Sequence, residues 1–154
     1  MSDKDLKIDV SQLILEQVQL EQASVYHPEA FDDSQIASFV QDVTHELALN
    51  EQDKRYRVRL SFSIKTAMKD NSEPAEGRFT LQFFFLVKDL DRWLTATEDK
   101  GVAVESILAS TLAGISYSTA RGILLTRFQG TAFQNIILPI ISPMQMVFSA
   151  VEHR

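Results

Sequence analysis

Two segments of this 154-residue chain alternate so regularly that strands are the only regular structure that fits them. In residues 55–65 the even positions are Tyr56, Val58, Leu60, Phe62 and Ile64, and the odd ones are Arg55, Arg57, Arg59, Ser61, Ser63 and Lys65. Strand side chains point alternately to opposite faces, so this segment has one apolar and one polar face. In residues 79–87 the odd positions Phe79, Leu81, Phe83, Phe85 and Val87 are apolar. The even face there begins polar at Thr80 and Gln82 and turns apolar at Phe84 and Leu86. Residues 69–77 between them are polar and include Pro74 and Gly77, which reads as a turn. The expectation is an antiparallel hairpin with one buried face. Phe83, Phe84 and Phe85 cannot share a face, so Phe84 and Leu86 are either covered by a second layer or open to a partner.

Two earlier segments extend the sheet. Residues 8–25 favour strand but change phase, with Leu13 and Leu15 on one alternation and Val18 and Leu20 on the other. A bulge, or a strand apolar on both faces, accounts for that change. Residues 36–49 fit a helix through Ile36, Phe39, Val40, Val43 and Leu47, and a strand through Val43, His45, Leu47 and Leu49. The turn at residues 50–53 favours a strand over 40–49, leaving residues 28–39 as a crossover loop. Residues 89–101 are charged and end the sheet.

The last third changes period. Val104, Ile107, Leu108, Thr111, Leu112 and Ile115 recur at helical spacing, and Ala120, Ile123, Leu124 and Phe128 continue the stripe. Gly114 and Gly122 each cost about 1 kcal/mol relative to alanine inside a helix, which close approach of another helix offsets. Gly114, Ile115, Tyr117, Ser118 and Gly122 are therefore expected at a subunit interface, a kink at Gly114 being the alternative. Residues 129–141 cannot be helical, because Gly130 and Pro139 break them, yet they carry Phe133, Ile136, Ile137, Leu138, Ile140 and Ile141. Such a connector must be covered by the core, a second subunit or a bound chain. Ser142 caps, Pro143 suits the first position of a final helix, and Gln145 can close a capping box. Met144, Val147, Phe148 and Val151 form its stripe, and Met144 and Met146 add adaptable apolar side chains. Phe84, Leu86, Phe133, Ile136, Ile137, Leu138, Met144 and Met146 are thus the candidates for a groove, between sheet and connector, that binds extended apolar polypeptide. Packing of the same residues into an ordinary core is the alternative.

The chain lacks the patterns of several other functions. A net charge of −6 disfavours a general nucleic-acid binder. The basic stripe Arg55, Arg57, Arg59 and Lys65 has its aromatics on the opposite face, so pairing with carboxylates of a neighbouring strand explains it better. There is no cysteine, and His27, His45 and His153 fit no metal-ligand spacing. Residues 114–118 are not a nucleophile elbow, and no phosphate-binding glycine loop is present. No enzymatic activity, cofactor or metal is expected. The N-terminus lacks a secretory pattern and no apolar run is long enough to span a bilayer, so a cytoplasmic protein without membrane insertion is expected.

Residues Gly114-Ile115-Ser116-Tyr117-Ser118-Thr119-Ala120-Arg121, then Gly130-Thr131, then Leu138-Pro139, resemble the helix-and-connector region of the SecB export chaperones. In that family an aromatic and proline stretch leads into an Ala-Arg pair, and a Gly-Thr-Phe sequence precedes an Ala-Pro pair. The spacing fits without a gap over residues 114–144, and the order of elements agrees over nearly the whole chain. The resemblance implies an α+β fold: a four-stranded antiparallel sheet followed by C-terminal helices, one domain over residues 1–154, homotetrameric as a dimer of dimers. It implies an ATP-independent holdase for unfolded polypeptide, serving export through the SecA motor. Glu21 resembles one of the family's acidic motor-contacting residues. Gln17 and Gln82 stand where the family pattern is acidic, and the acidic tail is missing. A SecB-like chaperone for another client, such as an antitoxin, is the nearest alternative, and a small-molecule-binding α+β domain the next.

Overall fold

The computed structural model describes residues 7–145. Four long strands carry the fold: β1 (Leu13–Tyr26), β2 (Ile36–Asn50), β3 (Arg55–Met68) and β4 (Glu76–Val87). They form one antiparallel sheet in the order β1-β4-β3-β2. Two hairpins join β2, β3 and β4, and the chain from β1 crosses to the far edge through residues 27–35, a Greek-key path. A short hairpin follows, β5 (Leu94–Ala96) with β6 (Val102–Val104), and then the helix α1 (Ser106–Arg127).

The alternation of β3 and β4 decides where the core lies. Tyr56, Val58, Leu60, Phe62 and Ile64 of β3 pair in register with Phe85, Phe83, Leu81, Phe79 and Gly77 of β4. Together they make a buried apolar layer. Helix α1 lays Leu108, Leu112, Tyr117, Ala120 and Leu124 against it, with Tyr117 stacked on Phe62 at 6.2 Å. The phase change in β1 is a bulge between Leu15 and Gln17, and a second bulge follows between Leu20 and Gln22.

Three sequence expectations change. Residues 36–39 belong to β2 and pair with β3, so the crossover is shorter than residues 28–39. The charged stretch 89–101 holds a 3₁₀ turn at Leu90–Trp93 and half of the β5–β6 hairpin. The buried face of α1 is rotated from the expected stripe, leaving Ile107 and Ile115 exposed while Ala109, Ala113 and Ser116 face inward. Small residues win those positions because the helix sits close to the sheet. A Cβ on Gly114 would lie 3.0 Å from Pro143 Cγ, so the close approach that Gly114 permits is to its own chain. The helix runs unbroken through Gly114. Pro143 begins a helical turn in which Gln145 N–H donates to Ser142 O. Met146 and the rest of the expected final stripe lie outside the described residues.

Candidate functional site: a trough beside the outer strand

The two faces of the sheet must be separated first, because the candidate residues divide between them. On the outer face the basic residues of β3 meet carboxylates from β1, β2 and β4. Arg55 pairs with Glu16 at 2.8 Å, Arg59 with Glu21 at 2.9 Å and Glu46 at 3.3 Å, and Lys65 with Glu76 at 3.5 Å. Glu16 and Glu21 are the extra residues of the two β1 bulges. A bulge re-aims its side chain, and here both glutamates reach across β4 to arginines of β3. Arg59 holds both oxygens of Glu21, each at 2.9 Å, and the Gln82 amide donates to one of them at 3.1 Å. The Arg59 hydrogen bonds hold the Glu21 carboxyl below its usual range and raise Arg59 in turn. The basic stripe is therefore neutralised by its own sheet.

Phe84 and Leu86 lie on this outer face, opposite Arg57 and Arg55 of β3 and beside Gln17 and Ile14 of β1. They are half-buried among neighbouring side chains. The expected groove joining them to the connector is corrected: the sheet itself stands between, because even and odd positions of β4 face opposite ways.

The connector divides in two. Phe128, Ala132, Phe133 and Ile136 are buried, and a run of turns closes residues 128–136 on themselves. Phe133 is fully buried, 6.2 Å from Phe39 and 6.1 Å from Phe128, ring centre to ring centre. A Cβ on Gly77 would lie 2.9 Å from its ring, so a glycine there lets Phe133 sit down on β4. Phe133 is thus core, and its expected role as an accessible binding residue is corrected. His27 Nε2 accepts the Ala132 N–H at 3.1 Å, fastening the crossover to the connector.

Residues 137–141 behave differently. Ile137 is 73% exposed and Ile140 86% exposed, while Leu138 is buried and Ile141 half-buried. Among the described residues no backbone–backbone hydrogen bond involves residues 137–141. Two side chains of α1 hold them instead: Tyr117 Oη donates to Pro139 O at 2.6 Å, and Arg121 Nε to Leu138 O at 3.0 Å. Burial raises the Tyr117 phenol above its ordinary value, with Arg121 pulling the other way. On the outer side of α1, Ile136, Ile137 and Leu138 line a hollow of about 240 Å³ together with Ser118, Arg121, Gly122, Leu125 and Phe128. Residues expected to bind clients and residues expected at a subunit interface share that hollow. Met144 is partly exposed and lines neither this hollow nor the trough described next.

A larger open space lies elsewhere, along the inner side of β2. One hollow of about 700 Å³ is walled by Leu47, Leu49 and Tyr56 on the sheet and by Val102, Val104 and Ala109 beyond it. A second, of about 310 Å³, lies between Val43 of β2 and Tyr117, Pro139 and Ile141. Both reach His45, so together they follow β2 from Gln41 to Leu49. Burial pushes the Tyr56 phenol up to about 12, as expected of an aromatic wall dry on one side. β2 is an edge strand, and among the described residues no strand pairs with its outer side. Among the described residues the trough therefore offers a largely apolar floor beside a strand edge with which no other strand pairs.

The sequence reading missed this site. The alternation of Val43, Leu47 and Leu49 was visible, but Gln41 and His45 interrupt it on the same face. That mixed composition was the signal of a face only half covered. Among the described residues no cluster of His, Cys, Asp or Glu could hold a metal, and no helix is long and apolar enough to cross a membrane.

No protein-family model matches the chain, and no curated protein is similar to it. Among solved structures it is similar to the Mycobacterium tuberculosis SecB-like chaperone Rv1957, in complex with a ChAD peptide from the Rv1956 HigA1 antitoxin. That likeness has a TM-score of 0.58 and 17% identity, over 86% of this chain and 93% of the other. A protein of unknown function from Streptococcus agalactiae is 13% identical over 83% of this chain and 97% of its own, with a TM-score of 0.31, too low to carry an argument. The chain has the SecB-like chaperone fold.

Proposed function

We propose that this protein is a nucleotide-independent chaperone that holds an extended, apolar polypeptide segment in the trough along β2. The observation that carries the reading is that hollows of about 700 and 310 Å³, largely apolar in their walls, lie beside a strand edge with which no other described strand pairs. Apolar side chains of a client leave water against Val43, Leu47, Leu49 and Val102, worth roughly 25 cal/mol per Å² buried. That attraction is non-directional and tolerates varied sequences. The bare edge of β2 adds backbone hydrogen bonds that any extended segment can make. A folded protein hides both features and is passed over. No chemistry is required of the site.

A dedicated client is favoured over general export. The similar SecB-like chaperone holds an antitoxin peptide, and Glu21, the residue carried over as a motor contact, has both oxygens taken by Arg59. Assembly into a tetramer through α1 belongs to the same proposal. Ile107, Ile115 and Leu125 are exposed along that helix, and a Cβ on Gly122 would meet nothing within 4 Å.

The test is protection of chemically unfolded citrate synthase from aggregation without nucleotide, run beside the mass in solution. Wild type should suppress light scattering at a few-fold molar excess. Val102→Asp, on the exposed wall of the trough, should lose most of that protection while keeping the circular dichroism and mass of wild type. Absence of protection by wild type, or full protection by Val102→Asp, would overturn the assignment of the trough.

A further inference from the structure

The smaller hollow has one wall that is not built like the rest of the molecule. Its sheet side is β2, fixed by a full ladder to β3. Its far side is Pro139 and Ile141, from the stretch that makes no backbone–backbone hydrogen bond among the described residues. Pro139 has no N–H to offer. Where this wall stands is set by the buried Leu138 and by the two donors from α1. Tyr117 and Arg121 are four residues apart, so they project from one face of the helix, and they grip consecutive carbonyls, Pro139 O and Leu138 O. Ile140, between the gripped residues and Ile141, is exposed and anchors nothing.

We propose that Tyr117 and Arg121 are positioning residues that set the width of the trough, and through it the size of client side chain the trough prefers. The inference rests on the client-binding reading of the trough and adds a determinant of specificity to it. With both anchors in place, residues 137–141 stand close to β2, and a slender aliphatic side chain touches both walls. With an anchor removed the strap retreats. Slender side chains then lose one wall, because dispersion falls steeply with a gap of even 1 Å. Broad aromatic side chains lose nothing and gain room. A residue that merely stabilised the fold would weaken all clients alike.

Two fluorescein-labelled peptides of identical length and charge serve as probes, one carrying leucine and the other tryptophan at every second position. Affinities are measured by anisotropy for wild type, Tyr117→Phe, Arg121→Gln and, as a control on the same helix, Arg127→Gln. Tyr117→Phe keeps the ring that stacks on Phe62 and removes only the donor. Loss of one such hydrogen bond should weaken the leucine peptide about fivefold and leave the tryptophan peptide within about twofold. Arg121→Gln should shift the ratio in the same direction, and Arg127→Gln should leave it unchanged. An unchanged ratio in both anchor variants, whether affinity falls equally for the two peptides or not at all, overturns the inference and leaves the trough reading standing. Failure of wild type to bind either peptide overturns both.

Discussion

Both halves of the connector carry large apolar side chains, and these meet opposite fates. Residues 128–136 close into turns, and their large side chains, Phe128, Phe133 and Ile136, go into the core. Residues 137–141 are more apolar still, yet Ile137 and Ile140 stand in solvent, and among the described residues the backbone is held by two side chains of α1. The difference lies in the backbone. A segment that satisfies its own polar groups in turns can be buried, while one that cannot must stay where water reaches it. Apolar side chains alone therefore do not tell a core segment from the wall of a binding site.

The contrast can be broken most directly at Phe133. Phe133→Ala should cost about 3–5 kcal/mol in urea unfolding, the range for deleting a buried phenylalanine. Ile140→Ala should stay within about 0.5 kcal/mol, as surface changes do. A small cost at Phe133 would mean that the two halves are equally loose. Gly77→Ala comes next. The added methyl would lie 2.9 Å from the Phe133 ring, and overpacking of this kind costs about 1–3 kcal/mol. The double variant with Phe133→Leu should recover part of that loss, which identifies the ring as the obstacle.

Alkali separates the halves by another route. The Tyr117 phenol loses its proton above the ordinary value of 10.0, because burial opposes the charge. Its hydrogen bond to Pro139 is therefore intact below about pH 10 and lost as pH rises through the higher folded value. Proteolysis by an alkaline protease should accelerate within residues 137–141 before it does within 128–136, and in Tyr117→Phe the early phase should already be present at pH 8. The smallest effect is expected from the outer face. Glu21 titrates below the ordinary 4.5 because Arg59 binds its ionised form, so its contribution is present above that range and lost as pH falls through the lower folded value. Both partners are solvent-exposed, so Glu21→Gln should move the melting temperature barely, and salt should erase even that.

Much of the fold was legible because it depends on period. Alternation in β3 and β4 assigned each residue to a face, and the phase change in β1 marked the first of its two bulges. The pairing of Arg57 and Arg59 with Glu46 of the neighbouring strand followed from the same alternation, whereas the reach of Glu16 and Glu21 across β4 did not. Helix, connector and final turn came in the expected order. The candidate site was less legible. Whether Phe84 and Leu86 share a layer with the connector, whether Phe133 is core or groove, and whether β2 borders a trough all depend on which element covers which face. The start of β2 was also misplaced, since residues 36–39 pair with Met68, Ala67 and Thr66 through a bulge that only the partner strand reveals.

By itself the sequence determined the two central strands, the long helix and the apolar face of each central strand, since these rest on local spacing. Only the tertiary structure decided that the helix lies over β3, that Gly77 seats Phe133 and that β2 is an edge strand of the sheet, bordering a trough. Coverage is a property of pairs of elements distant in the chain, and no local periodicity encodes which of two equally apolar surfaces another element will reach.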